Sequence, residues 1–380
     1  MYLAEPEVEH RRRPARRQTP PPSPVACRGD EPIDERTALL YSPEAPNAGQ
    51  RGAQCDHRAV WAFVPQPLGS PPSAFIYFHG MNNFVTANAA RPGGRPAGWT
   101  RHTPGPLTPR GPYASGPKYG LDSAAQASPH RPLTLAPEVA FGSSDSYWAV
   151  TRSGRLATDR DSLGRLIADC SRRLIGLRRP SGAAYLPASF ASGPPQRLYL
   201  SGHSAGGAPV THAGASALAR RVPTDLWLLD ATYNTVLNPM VVEFARRWRQ
   251  WSDPATPATA PTNRLGNVRG TSRLVIVTLG GLPARNAQLI VDQLRQPWSD
   301  ARGRFPGLSA AKFDRGRMTS YAAQPVPARP ELVEVSARTP LADVEAIVAR
   351  TPVTWIRTPI AHDRIPLEFS PVLLRSATGP

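Results

Sequence analysis

Short apolar runs recur along the chain and alternate with segments of helical periodicity. The run at residues 74–78 (AFIYF) contains no charged or strongly polar residue, which is typical of a strand buried on both faces of a sheet. Further strands are predicted at 59–64, 133–136, 198–200, 226–229, 274–279, 332–335 and 353–356. Helices are predicted at 159–177, after 206 to about 221, from 238, and around 284–294 and 341–348. This alternation predicts an α/β fold with a mostly parallel central sheet flanked by helices.

Proline is the outlier of the composition. The 380 residues include 45 prolines, where average usage of about 5% predicts roughly 19. They concentrate at 1–55, at 87–131 and in the loop after Trp251, and the predicted strands are largely free of them. We therefore predict a disordered or loosely packed basic arm at 1–55 and one domain at 56–380, with a Pro/Gly-rich insertion or lid at about 87–131.

The charge is strongly basic. Lys and Arg total 45 against 28 Asp and Glu, a formal net charge of +17. A nucleic acid or an anionic surface bound through the basic arm is one interpretation. The arginines are nevertheless spread along the chain, and their excess over lysine also fits the coding bias of a GC-rich genome. We favour the second interpretation; steeply salt-dependent retention on heparin or DNA would support the first.

Cysteine and hydropathy patterns narrow the class of protein further. Cys27, Cys55 and Cys170 show no metal-ligand spacing. No apolar run approaches the roughly 18 residues of a transmembrane helix. Polar, Pro-rich sequence follows the N-terminal arginines, so no standard secretion signal is expected, and both a cytoplasmic location and export by a non-standard route fit.

The strongest chemical signal is the pattern Gly202-His203-Ser204-Ala205-Gly206. A serine hydroxyl is a poor nucleophile unless it meets a general base and oxyanion donors together, and a sharp strand-to-helix turn exposes it to both. Glycines two positions either side allow the close backbone approach that this turn requires. The motif follows a predicted strand and precedes a predicted helix. The alternative is a glycine-rich turn that only packs strand against helix.

With these motifs the chain resembles the α/β-hydrolase superfamily, and within it lipase- and esterase-like serine hydrolases. The resemblance spans most of residues 58–375 in element order and depends on three short motifs. The second motif is the strand ending at His79-Gly80, similar to the HG segment at the oxyanion hole of lipases and esterases. It implies that the backbone N–H groups of Met81 and Ala205 are the oxyanion donors. We expect His79 to shape the loop rather than transfer protons; it could equally be a buried strand-end histidine.

The third motif is the acid and base, which the superfamily places after the serine in that order. Asp230 ends the next predicted strand, 26 residues after Ser204, as in a variant seen in some lipases. The later strand, at 274–279, is followed by no carboxylate, and Asp292 lies inside a helix. His362 follows the strand at 353–356 and is the one histidine beyond residue 212. The alternatives are a loop-capping role for Asp230 and a surface position for His362.

Other residues are weaker candidates. Asn82 and Asn83 could contact substrate or fix the oxyanion loop, although loop asparagines usually only satisfy turns. Tyr233 and Asn234, just past the acid, could border the pocket. His203 occupies the variable position of the serine motif and is expected to point away from the hydroxyl, while His212 lies in the following helix.

The sequence thus predicts a serine hydrolase that cleaves a carboxylic ester through Ser204, Asp230 and His362, with an acyl-enzyme intermediate and no metal or cofactor. Its substrate would be a small-molecule or lipid-like acyl compound. An amidase or peptidase, a thioesterase or an acyltransferase would use the same groups. A binding protein on a hydrolase fold, whose basic arm holds an acidic partner, is the alternative from another class.

Overall fold

The computed structural model describes residues 29–46, 58–80, 119–137, 153–192, 195–252, 272–301, 303–321 and 325–377. Its strands are β1 (Glu31–Pro32), β2 (Thr37–Ser42), β3 (Arg58–Phe63), β4 (Ser73–Phe78), β5 (Leu133–Pro137), β6 (Arg197–His203), β7 (Thr224–Leu229), β8 (Arg273–Thr278), β9 (Trp298–Asp300), β10 (Gly303–Phe305), β11 (Ala310–Asp314), β12 (Arg317–Ser320), β13 (Leu332–Val335) and β14 (Val353–Arg357). Its helices are α1 (Leu121–Ala127), α2 (Arg155–Thr158), α3 (Ser162–Gly176), α4 (Gly207–Arg220), α5 (Asn238–Ser252), α6 (Gly281–Arg295), α7 (Leu341–Val348) and α8 (Ile365–Arg375).

Twelve of the described strands form one sheet, in the order β1-β2-β3-β5-β4-β6-β7-β8-β14-β13-β11-β12. The strands from β5 to β11 in this order all run parallel to their neighbours, while β3 and β12 pair antiparallel at the two flanks. Parallel neighbours require crossover connections, and the helices provide them. The prediction of a mostly parallel α/β sheet flanked by helices is confirmed.

The helices cover both faces of the sheet, which explains the continuous apolar strands. All six residues of β4 are buried. Ile76 and Phe78 point into one core, together with apolar side chains of α3, α4, α5 and α6. Phe75 and Tyr77 alternate to the other face and pack with α1, α7 and α8. The period-2 alternation of a strand therefore fills two cores at once.

Two of the predicted boundaries need correction. Part of the range 1–55 belongs to the sheet, because β2 pairs antiparallel with β3 along its whole length. Ala38 and Leu40 are fully buried, so this segment packs into the domain although Pro-rich sequence surrounds it. The C-terminal part of the range 87–131 contains α1, which buries Leu121 and Ala125 against the sheet. Residues 1–28 and 47–55 of the first prediction, and 87–118 of the second, lie outside the described residues.

A buried ionic cluster joins three parallel strands near their N-terminal ends. Asp225 on β7 accepts from Arg197 on β6, with Nη2 and Oδ1 2.8 Å apart, and from Nε of Arg273 on β8 at 2.9 Å. Arg273 also donates to the carbonyl oxygens of Val348 and Ser376, at 3.1 and 2.8 Å. All three charged side chains are almost fully buried. The cluster thus ties the sheet to the ends of α7 and α8.

Candidate active site

The candidate site lies at a topological switch point of the sheet. From β4 the chain moves to β5 on one side, and then to β6 on the other side of β4. Open α/β sheets bind ligands in the crevice at the carboxyl ends of strands at such a point. Gly80 follows β4 and Ser204 follows β6, so the two motifs meet there. A Cβ added to Gly80 would lie 2.9 Å from Cβ of Ser204.

Ser204 stands on a strained turn between β6 and α4. Its φ is 53°, in the left-handed region that costs a non-glycine residue about 1–2 kcal/mol. A Cβ on Gly206 would lie 2.1 Å from the carbonyl oxygen of Phe78, and one on Gly202 2.5 Å from the carbonyl oxygen of Gly206. Both positions therefore require glycine. The side chain of Ser204 is partly exposed at the apex of this turn, and Ala205 is buried behind it.

Asp230 follows β7 and is held rigidly. Its φ is 47°, its backbone N–H donates to the carbonyl oxygen of Val277 at 2.7 Å, and its Oδ1 accepts from the backbone N–H of Leu279 at 3.1 Å. Its other oxygen, Oδ2, lies 2.6 Å from Nδ1 of His362. The carboxylate is 4% exposed and the imidazole 31%, so the acid is enclosed while the histidine is partly exposed.

The hydrogen bond to Asp230 indicates which ring nitrogen of His362 carries a proton. An ionised carboxylate only accepts hydrogen bonds, so Nδ1 carries the proton. In the neutral ring, Nε2 then holds a lone pair and can accept a proton. The backbone of His362 is also attached to the serine turn, because its carbonyl oxygen accepts from Nε2 of His203 at 3.1 Å. The three predicted residues Ser204, Asp230 and His362 thus follow β6, β7 and β14, at one edge of the sheet.

Some of the other predicted site residues lie near Ser204, Asp230 and His362 at the carboxyl edge of the sheet, and others do not. Tyr233 presents its ring edge-on to His362, with centroids 6.4 Å apart. His79 is fully buried, and its Nδ1 lies 2.8 Å from the carbonyl oxygen of Gly80. Asp292 accepts from Gln288 on α6, which agrees with its exclusion as the acid. Met81, Asn82 and Asn83 lie outside the described residues.

A small cavity adjoins Ser204. Its volume is about 20 Å³, enough for about one water molecule. Residues of α4, the end of β7, the turn after it and the start of α5 form its wall. Apart from Ser204, Ala205, Tyr233 and Asn234, the lining residues are ones that the sequence did not assign to the site: Gly207, Ala208, Thr211, Leu228, Ala231, Thr232, Leu237, Asn238 and Val241. The Asn238-Pro239 helix start was visible in the sequence, but its position beside Ser204 depends on the sheet order.

Among the residues that the structure describes, no group of three or more His, Cys, Asp or Glu is placed to hold a metal ion. None of the described helices has both the length and the apolar character needed to cross a membrane.

A serine on a strained strand-to-helix turn, at the carboxyl edge of a mostly parallel sheet, gives this chain the architecture of the α/β-hydrolase superfamily. No protein-family model and no curated protein matches its sequence. Among solved structures, an esterase of the archaeon Pyrobaculum calidifontis matches at 13% identity over 91% of this chain and 85% of its own, with a TM-score of 0.34.

Two other structures match at the same level. A thermostable carboxylesterase cloned from a metagenomic library shows 14% identity over 91% of this chain and 90% of its own, with a TM-score of 0.34. Brefeldin A esterase, a bacterial homologue of human hormone-sensitive lipase, shows 11% identity over 94% and 75%, with a TM-score of 0.35. At such identities and TM-scores the overlays are loose, and the architecture stands on the strand order and serine turn of this chain itself.

Proposed function

We propose that the protein is a serine hydrolase that cleaves carboxylic esters through an acyl-enzyme on Ser204. The observation that carries the proposal is the 2.6 Å hydrogen bond between Nδ1 of His362 and Oδ2 of Asp230, in a loop attached to the serine turn. A histidine held in this way by a buried carboxylate is the general base that a serine nucleophile needs.

In the first half-reaction, His362 Nε2 takes the proton of Ser204 Oγ as Oγ attacks the ester carbonyl carbon. The oxyanion of the tetrahedral intermediate accepts hydrogen bonds from the backbone N–H groups of Ala205 and Met81. One such donor contributes about 2.7–4 kcal/mol to the transition state. His362 then gives its proton to the departing alkoxide oxygen, the C–O bond breaks, and the acyl group remains on Ser204.

In the second half-reaction, His362 removes a proton from a water molecule, whose oxygen attacks the acyl carbon. Collapse of the second tetrahedral intermediate returns the proton to Ser204 Oγ and releases the carboxylic acid. Asp230 stays ionised throughout and stabilises the imidazolium that forms twice in each cycle. The same groups would serve an amide, a thioester or an acyl acceptor other than water; the ester is proposed because the His79-Gly80 segment resembles that of lipases and esterases.

Labelling with a fluorophosphonate probe tests the proposal. The wild-type protein should be labelled at one site and hydrolyse p-nitrophenyl acetate, while Ser204→Ala and His362→Ala should lose both properties. Ser201→Ala is the matched control, because this serine lies three residues earlier on β6 with a buried hydroxyl that has no hydrogen-bond partner among the described residues. Folded protein without Ser204-dependent labelling would overturn the enzyme proposal and favour a binding protein on the same fold.

A further inference from the structure

His203, the last residue of β6, lies between the serine turn and the loop that carries His362. Its side chain is 1% exposed and alternates to the face of the sheet covered by α1, α7 and α8, away from the face on which α4 packs. The Gly-x-Ser-x-Gly pattern does not itself specify the residue before the serine, so the local contacts of this buried histidine indicate its role.

The ring of His203 contacts the backbone and the ring of His362. Nε2 lies 3.1 Å from the carbonyl oxygen of His362, and because a carbonyl oxygen can only accept, Nε2 is the donor. The two imidazole centroids are 4.4 Å apart with the planes tilted by 37°, which is direct packing contact. His203 therefore binds the residue proposed as the base at two places, its carbonyl oxygen and its ring.

The His203 ring is itself enclosed. Tyr119, 1% exposed, meets it edge-on at 5.8 Å between centroids. On another side the backbone of Gly80 approaches so closely that a Cβ there would lie 3.3 Å from Nδ1 of His203. Packing on these sides restricts the rotamer of His203, so its donor atom has a fixed position from which to hold the loop.

Two anchors are needed to orient an imidazole on a loop. Asp230 holds the ring of His362 at Nδ1, but this single hydrogen bond leaves the ring free to swing about the Nδ1···Oδ2 direction if the main chain moves. The bond from His203 fixes the main chain of the same residue. His203 directly precedes Ser204 in the chain. The loop that carries His362 and the serine are therefore both held at the C-terminal end of β6.

We propose that His203 is a positioning residue that aims Nε2 of His362 at Ser204 by holding the carbonyl oxygen and ring of His362. The inference rests on the proposed function, in which His362 is the general base. It assigns a role in orientation to the histidine of the serine motif, and no proton transfer.

Two substitutions separate orientation from packing. His203→Phe keeps a buried ring but removes the donor, and His203→Gln replaces the ring with an amide N–H that can reach the same carbonyl oxygen. Since displacement of a catalytic group by about 1 Å can cost 100-fold, we expect His203→Phe to lower kcat by about 10- to 100-fold, with KM within about twofold. His203→Gln should recover most of that loss, and both variants should show wild-type circular dichroism.

A spectroscopic readout makes the result independent of turnover. The proton shared by His362 Nδ1 and Asp230 gives a low-field resonance, which should persist in His203→Gln and broaden or disappear in His203→Phe. Wild-type kcat in His203→Phe would overturn the proposal, and so would equal losses in both variants together with lowered melting temperatures. If Ser204→Ala is as active as wild type, the proposed function fails, whereas the resonance still tests whether His203 orders His362.

Discussion

Asp230 and His362 are 132 residues apart in the chain, and Oδ2 of the aspartate lies 2.6 Å from Nδ1 of the histidine. Asp230→Asn keeps the shape of this contact, but an amide NH2 turned toward Nδ1 favours the wrong tautomer. We expect kcat for p-nitrophenyl acetate to fall by roughly 1,000- to 10,000-fold. Stability should change little, since the amide oxygen can still accept from Leu279 N–H. Asp292→Asn on α6 is the control. A fall in kcat of less than tenfold in Asp230→Asn would show that another residue is the acid.

The close approach of Gly206 to β4 predicts that a larger residue at this position destabilises the protein. A Cβ at residue 206 would lie 2.1 Å from the carbonyl oxygen of Phe78, a backbone atom that cannot swing aside. Gly206→Ala should therefore lower the free energy of unfolding by about 1–3 kcal/mol or more and displace Ser204, with reduced fluorophosphonate labelling of the folded fraction. Gly176→Ala, where no atom from elsewhere in the described part of the chain lies within 4 Å of the new Cβ, should be neutral or stabilising. Equal behaviour of the two variants would contradict this account.

The ionic cluster at the other end of the strands should affect stability and not chemistry. Asp225→Asn leaves the guanidinium groups of Arg197 and Arg273 buried with reduced compensation, and breaking such a pair costs about 3–5 kcal/mol. Urea unfolding measures this change. The exposed pair Arg220–Asp161 is the comparison, for which Asp161→Asn should cost under about 1 kcal/mol. A reduced kcat in folded Asp225→Asn, measured at low temperature, would contradict this prediction by showing that the ionic cluster affects the candidate site.

His212 on α4 gives a pH-dependent prediction. Burial lowers the pKa of this histidine below its ordinary value of 6.5, because the charged ring is less well solvated in the folded protein. The unfolded chain then binds the proton more readily than the folded protein does. The stability that depends on a neutral His212 ring is therefore complete above about pH 6.5 and is lost as the pH falls through the lowered pKa. The urea midpoint of His212→Gln should therefore fall less between pH 7.5 and pH 5 than that of the wild type. Identical shifts would assign the acid sensitivity to other groups.

Continuous apolar strands were predictable because burial on both faces leaves an unmistakable pattern. The strand predicted at 332–335 is β13 (Leu332–Val335), and the helix predicted at 341–348 is α7 (Leu341–Val348). By contrast, β12 (Arg317–Ser320) is exposed and polar, so only its pairing with β11 makes it a strand. β2 was missed for another reason, since its short apolar run stands among prolines and its pairing with β3 is a tertiary contact.

The same distinction between local sequence patterns and tertiary contacts applies to the candidate site. Ser204 could be named from its glycines, because their spacing reflects local backbone contacts. Asp230 and His362 could be named from their order and positions after strands, but the distance between them depends on how β7, β8 and β14 lie side by side. The contact of His203 with His362 and the cavity next to Val241 left no sequence signal, since each joins elements that are distant in the chain.

Ser204 and Asp230 share a backbone property, a φ near +50° at the end of neighbouring parallel strands. Glycine would occupy either place at lower conformational cost, by about 1–2 kcal/mol. Both side chains therefore reduce the stability of the fold slightly, and the proposed reaction is what would require them at adjacent strand ends.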